Sequence, residues 1–325
     1  MVYVYSLCDV FYGSFYFEGI NKKFGKFEFN ASKFPNFKQG TFALIVEENN
    51  QIIKIVIDTK DDNLYYLESL EWCNFYGKIN YFKDTIPNNY IDKVVPIGPS
   101  FGVKMWNFPQ TLFFAVRNYF ISKNQITNKR EFVANYWRQF KRLPLSFYNK
   151  SKSDNNYVYF IASLWQNDKE TNNNRAKFIE ACKVNNKIDF VGGFAPRKDN
   201  NDFGFENLIL QNSITLKKYI ENIKKSAIVF NTPAVLFCHG WKLGEFLALG
   251  KVIITTNHVN VLPAELIDYE HLLYLDHEKN IEFKIDEILS NPELKSKLET
   301  NSRQYYDDNL SPEKVIEKLV KKAIS

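Results

Sequence analysis

No glycine-rich nucleotide fingerprint of the GxGxxG or GxxxxGK[ST] kind occurs in this 325-residue chain, so dehydrogenase and P-loop readings lose their main support. Cysteine is scarce: Cys8, Cys73, Cys182 and Cys238 are widely scattered, which points to reduced core thiols rather than a disulfide framework. Cys238, His239, His258, His271 and His277 show no metal-binding spacing, so no metal is expected. Charge of one sign is also lacking. The 42 basic and 37 acidic residues are mostly interspersed and leave a net +5, which makes no case for nucleic acid. No uninterrupted apolar run reaches the length of a membrane span, and the N-terminal MVYVYSLCDVFYGSFYF has no basic leader and is broken by Asp9. A cytoplasmic chain is therefore expected, either soluble or peripheral at the inner membrane face.

What is present is globular. Hydrophobic residues make up 45%, and the length exceeds what one core serves, so two domains of about 150 residues each are expected. Periodicity is lost between Pro144 and Asn156 (LPLSFYNKSKSDNN), which sets domains at 1–145 and 157–310, followed by a terminal helix over 311–325. In the first half the patterns predict strands over 2–8, 41–46, 52–58, 78–82 and 94–98, with a turn at Asn49, Asn50 and Gln51. Helices are predicted over 64–78, 109–122 and 127–142. The stretch FYGSFYFEGINKKFGKFEF mixes aromatics with Lys22, Lys23 and Lys26 and reads either as an acceptor- or membrane-facing surface or as a packed aromatic layer with a solvated lysine rim.

The second half alternates cleanly. Strands are predicted over 157–162, 188–191 and 271–275, and helices over 174–183, 215–225, 286–289, 292–306 and 312–323, the last with Ser311 as N-cap and Pro312 at its first position. Between them lies the organising stretch SAIVFNTPAVLFCHGWKLGEFLALGKVIITTNHVNVLP. It gives a strand over 227–230, a helix over 241–249 ended by Gly250, and a strand over 252–256, a unit that implies a parallel sheet. The fold class is therefore α/β with doubly wound alternation.

Polar residues fall where such folds hold ligands. Gly240 and Gly244 bracket a helix start whose N–H groups and dipole favour an anion, Lys242 adds a charge, Glu245 can accept from ribose hydroxyls, and Thr232 opens the loop before them. The loop VGGFAPRKD offers Gly193 for close backbone approach and Arg197 and Lys198 for phosphate or a base edge. A loop at 169–172 precedes Arg175 in the first turn of the next helix. Asp9, at the end of the first strand, and Asp58, leading the turn acids Asp61 and Asp62, are candidate general bases, and His239 can contact a ligand beside the phosphate turn. Each has an ordinary structural use as well: Asx turn, solvated loop or buried histidine.

The run HGWKLGEFLALGKVIITT resembles the donor-binding segment of GT-B glycosyltransferases, in which a glycine turn, an acidic residue, a small-residue helix end and a "GK/GxPVI" strand follow in this order. VGGFAPRKD similarly resembles the family's "GxGP" loop near the nucleotide base. The resemblance covers the second half well and the first half by architecture alone. It implies two Rossmann-like domains facing across a cleft, with a nucleotide sugar in the C-terminal one and the acceptor in the N-terminal one. It further implies that Gly240, Trp241 and Lys242 lie near the diphosphate, Glu245 near the ribose, and Arg175 as a diphosphate clamp. The implied partners are a nucleotide-sugar donor and a glycan or lipid-linked acceptor, with no cofactor and no metal. Phe237 stands where many retaining members carry a second acid, so the stereochemical outcome stays open. Two alternatives remain: a scaffold of this kind that binds without turnover, and a sugar-nucleotide epimerase of similar architecture.

Overall fold

The computed structural model describes residues 1–48, 50–275 and 280–322, so Asn49, His277 and Ala323 of the sequence reading lie outside the described residues. The chain forms two compact units. One comprises Met1–Phe147, Asn260–Ala264 and Asp308–Ser325, the other Tyr148–Val259 and Glu265–Asp307. The short segment at 260–264, expected in the second domain, thus belongs to the first unit.

In the first unit the elements are β1 (Val2–Tyr5), α1 (Val10–Phe24), β2 (Glu28–Asn30), β3 (Phe42–Glu48), β4 (Gln51–Asp58), α2 (Leu67–Trp72), β5 (Phe75–Lys78), β6 (Val94–Pro96), α3 (Phe108–Ser122) and α4 (Lys129–Phe140). The sheet order is β2-β1-β3-β4-β5-β6 and the sheet is mixed. β1 runs antiparallel to β3 and β3 to β4, while the β1–β2, β4–β5 and β5–β6 pairs are parallel. The runs FALIVEE and QIIKIVID are β-branched and form the central hairpin, with Asn50 turning the chain at a φ of 62°.

Two expectations change here. The aromatic stretch after β1 is a helix, α1, capped by Asp9 at its start and by Gly25 at a φ of 78° at its end. Its interior glycines disguise it, and both have a packing reason. A Cβ on Gly19 would stand 2.1 Å from the carbonyl oxygen of Pro312 in the C-terminal helix Pro312–Lys321, and one on Gly13 would stand 2.5 Å from the Phe42 ring. Phe15, Tyr16 and Phe17 are fully buried, so the packed-layer reading describes this stretch and the acceptor- or membrane-facing one does not. The helix expected over 64–78 is instead the short α2 followed by β5, so Gly77 is a strand residue packed against Ile97 and Leu319. Both faces of β5 are covered, which removes the alternation that would have marked a strand.

The second unit contains β7 (Tyr157–Ala162), α5 (Lys169–Val184), β8 (Asp189–Phe194), α6 (Leu216–Lys225), β9 (Ile228–Asn231), α7 (Trp241–Ala248), β10 (Val252–Thr255), β11 (Leu273–Tyr274), α8 (Ile281–Ser290) and α9 (Pro292–Tyr305). All of its strand pairs are parallel: β7 with β8, β9 with β10, and β10 with β11. β7 lies beside β9, joined by Ala227 N–H to Tyr157 C=O at 2.7 Å and by the Ser226 hydroxyl, which accepts from Tyr159 N–H and donates to Ile228 C=O. Read across, the strands run β8-β7-β9-β10-β11. The chain winds outward from β7 to β8 and then returns to β9, which makes the carboxyl ends of β7 and β9 the switch point where open α/β sheets hold ligands. Phe160, Phe178 and Phe230 fill the core beneath, with Phe178 and Phe230 stacked at 4.7 Å. Gly250 ends α7 at a φ of 61°.

Candidate functional site

Three basic side chains meet at the carboxyl end of β7. Lys242 Nζ donates to the Ile161 carbonyl, an Arg175 Nη donates to Ser163 C=O at 2.8 Å, and an Arg197 Nη donates to Leu164 C=O at 2.9 Å. They come from α7, α5 and the loop after β8, so only the sheet topology brings them together. Arg197 is neutralised in place: it forms an ion pair with Asp199, whose carboxyl is pulled down to about 2 by that guanidinium.

Arg175 and Lys242 differ from it, since neither makes an ion pair among the described residues. Arg175 is buried, and burial lowers its guanidinium to about 10 despite the nearby charge of Asp168. Lys242 lays its stem over the Phe160 ring with Nζ 4.9 Å from the centroid. The ammonium is enclosed although part of the side chain reaches solvent. Burial first, then the charge of Arg175, lower it to about 7, against the pull of Glu245. A cavity of about 350 Å³ opens beside Lys242, lined also by Ile161, Ser163, Ala195, Asn212 and Tyr219. Two desolvated cations of like sign on one strand end, one of them lining an open cavity, form a site that an anion would complete.

The helix start adds to this. Gly240 is the N-cap of α7 with no side-chain cap, and a Cβ there would meet only Ala234 at 3.8 Å, so space remains in front of the N–H groups. Gly244 and Glu245 follow in α7, both buried, and Trp241 is half-buried at the first position. The loop before α7 is strained: Leu236 and Phe237 both have a φ of 58° and both are exposed. Left-handed backbone costs such residues roughly 1–2 kcal/mol each.

A second polar cluster caps the neighbouring strands; Thr232 and His239 in it are candidates from the sequence, and Asn231, His258 and Tyr274 are not. Asn231 Nδ2 donates to Thr255 Oγ1 at 3.0 Å and lies 3.1 Å from His258 Nε2, while His258 Nδ1 lies 3.1 Å from the Tyr274 hydroxyl. Burial pushes the His258 imidazole down to about 4, so it is neutral, and with Nε2 accepting from Asn231 the ring proton sits on Nδ1. Thr256 donates to the Thr232 hydroxyl at 3.0 Å, and the His239 ring lies 5.5 Å from that of His258. Position at the carboxyl ends of successive parallel strands is the signal that would have found these residues.

Solved structures similar to this chain include the C-terminal domain of a glycosyl transferase group 1 family protein (LpcC) from Francisella tularensis, at 14% identity over 50% of this chain and 95% of that one, with a TM-score of 0.37. HepE from Anabaena, solved with UDP and glucose, is similar at 9% identity over 83% of this chain and 71% of that one, TM-score 0.45. A putative UDP-N-acetylglucosamine 2-epimerase from Listeria monocytogenes is similar at 9% identity over 76% and 66%, TM-score 0.37. No family model and no curated protein matches. At these scores no role passes from those proteins to a residue here, and the site rests on its own geometry.

Four candidates stand elsewhere or otherwise than the sequence implied. Gly193 lies inside β8 at a φ of 155°, and a Cβ there would stand 2.5 Å from the Leu208 carbonyl oxygen, so the protein's own chain fills the space assigned to a ligand. Residues 169–172 are the first turn of α5 rather than a loop, capped by Asp168, which puts Arg175 in the second turn. In the first unit Asp58 is not an open turn carboxylate. It is paired across the β4–β5 register with Lys78 at 2.9 Å and accepts from the Tyr76 hydroxyl at 2.6 Å, all three being buried. Asp9 caps α1 by accepting from Phe11 and Tyr12 N–H and also accepts from Asn135 at 2.9 Å. Burial raises its carboxyl above the usual range, against those backbone N–H groups.

Proposed function

We propose that the chain is a GT-B glycosyltransferase that moves a sugar from a nucleotide-sugar donor bound in the second unit to a glycan or lipid-linked acceptor, in surface polysaccharide or glycoconjugate synthesis. The observation that carries this reading is the convergence of Arg175 and Lys242, neither in an ion pair among the described residues, on the end of β7, where Lys242 lines a cavity at the switch point. A diphosphate offers two charges for the two cations and a sugar and nucleoside on either side, which a lone phosphate does not.

In the proposed reaction the bond from the anomeric carbon to the diphosphate oxygen breaks and its electron pair leaves with the diphosphate. Arg175, Lys242 and the positive end of α7 stabilise that charge, so the reaction is proposed to run without a metal. Gly240 and Trp241 lie along the diphosphate, Glu245 accepts from the ribose, Arg197 faces the base edge, and Thr232 and His239 face the sugar. The acceptor hydroxyl forms the new bond and its proton passes to a base. Asp9 is favoured for this because its raised carboxyl is better matched to proton transfer. Asp58 is withdrawn from that role, because its carboxylate is already held by Lys78 and Tyr76.

One observation favours a second reading, a binder that does not turn over: Phe237 replaces the second acid of the resembled segment. The test is a titration of purified protein with UDP, GDP, CMP and their sugar conjugates, with and without magnesium, repeated on Glu245→Ala and followed by donor turnover with and without a saccharide acceptor. Tight binding of one nucleotide, weakened at least ~10-fold in the variant, with acceptor-dependent release, is expected. Binding with no release selects the binder, acceptor-independent conversion of the sugar selects the epimerase, and no binding at all ends the proposal.

A further inference from the structure

The buried residues of helix α3 are polar: Thr111, Asn118 and Ser122, bonded to Asn107 C=O, the Tyr136 hydroxyl and the Ser6 hydroxyl respectively, while Phe114 packs on Trp106 and Phe29. Its solvent face is the stripe Phe108, Leu112, Phe113, Val116 and Phe120, at helical spacing, with Phe120 65% and Phe113 60% exposed. The stripe continues onto α4, where Val133 and Trp137 are also exposed and the Phe140 ring lies 5.7 Å from that of Phe108. Phe114 and the polar residues already seat the helix, so a continuous exposed apolar face on its other side is not explained by folding of the unit.

The charges around it say what covers it. From Lys104 to Arg142 eight cations stand against the single acid Glu131, whereas the whole chain has a net charge of only +5. Lys104, Lys123, Lys129, Arg130 and Lys141 make no ion pair among the described residues. Lys141 Nζ sits 4.5 Å over the Trp137 ring and Lys104 Nζ 4.6 Å over the Phe140 ring, an arrangement in which the stem lies on apolar surface and the charge points to its rim. Two copies of this chain placed face to face would bring these cations against one another with almost no acid to answer them.

We propose that the α3–α4 face docks onto an anionic lipid surface, with α3 lying about 22 Å long in the interfacial plane, its apolar stripe among the acyl chains and the lysines at the phosphate level. This goes beyond the proposed function and does not rest on it. The assigned surface is not the aromatic stretch at 11–29, whose Phe15, Tyr16, Phe17 and Phe29 are buried.

The test is flotation of the full-length protein with vesicles of phosphatidylcholine alone or with phosphatidylglycerol added. Two variants accompany it, Leu112→Ser with Phe113→Ser and Phe120→Ser, and Lys123→Glu with Arg130→Glu and Lys141→Glu. All six side chains are exposed, and unchanged circular dichroism and melting check that each variant folds. The wild type is expected to float with the anionic vesicles at least ~10-fold more than with the neutral ones and to be released by 0.5 M salt, and both variants to lose at least ~10-fold in partitioning, since each basic residue is worth roughly fivefold. Absence of flotation with anionic vesicles, or equal flotation with neutral ones, overturns the proposal. A wild-type dimer in light scattering that the serine variant turns into a monomer also overturns it, by making a second copy the occupant.

Discussion

Both units bury a lysine near the carboxyl ends of parallel strands, Lys78 as the last residue of β5 and Lys242 in the first turn of α7 with its Nζ on the end of β7, and the two lysines are treated oppositely. In the first unit Lys78 is fully enclosed and answered by Asp58 at 2.9 Å, with the Tyr76 hydroxyl completing the carboxylate. In the second, Lys242 and Arg175 are hydrogen-bonded to backbone carbonyls with no ion pair among the described residues, and Lys242 lines a cavity. A buried cation with its counter-ion is a finished piece of structure. Buried cations without one are held at a cost, which the fold bears where a ligand supplies the missing charge. Sequence alone does not separate the cases, because what each lysine meets, Asp58 for Lys78 and the end of β7 for Lys242, is distant along the chain and brought up only by the fold.

The largest effect expected from that contrast is on stability. Lys78→Met strands the Asp58 carboxylate in the core and is expected to cost about 3–5 kcal/mol in urea unfolding. Lys242→Met removes an unanswered cation and is expected to leave the ligand-free protein at least as stable as the wild type. A loss for Lys242→Met as large as that for Lys78→Met would erase the distinction.

A smaller effect comes from pH. The Lys242 ammonium titrates near 7 in the folded chain and near the ordinary 10.5 when unfolded, so between those values the unfolded chain holds the extra proton. Stability from this group therefore rises as pH climbs from about 7 to about 10.5, and the burial cost is fully present below 7. Lys251, lowered to about 7 by burial, contributes in the same direction, so the Lys242 part is the difference between wild type and Lys242→Met. Ligand binding has the opposite slope. Affinity for a sugar nucleotide, whose diphosphate does not titrate there, should fall by up to ~10-fold per pH unit above 7, and the slope should vanish in Lys242→Met. A wild-type affinity that is flat from pH 7 to 9 would mean that the ammonium does not face the ligand.

Much of the second unit was legible. β7 is an aromatic-rich apolar run and β9 and β10 are β-branched ones, α6 begins at the N-cap Thr215, and Gly250 stops α7. Arg175 and Lys242 could be nominated because basic residues at such strand and helix ends are few. The first unit was harder, since α1 carries glycines that serve packing against Phe42 and Pro312, contacts distant in sequence. Asp58 looked like a turn acid because its partner lies 20 residues away across a register that sequence does not give. The Asn231, His258 and Tyr274 cluster is likewise assembled by strand order, and short polar residues at strand ends carry no period.

The most direct test of the central claim, that Arg175 and Lys242 form a diphosphate site, is calorimetric titration of the nucleotide that binds best into wild type, Arg175→Met and Lys242→Met at pH 7. Affinity should fall ~10- to 100-fold in each variant while the melting temperature of the ligand-free protein does not drop. Unchanged affinity in both variants would contradict the account and leave the two cations as internal caps of β7.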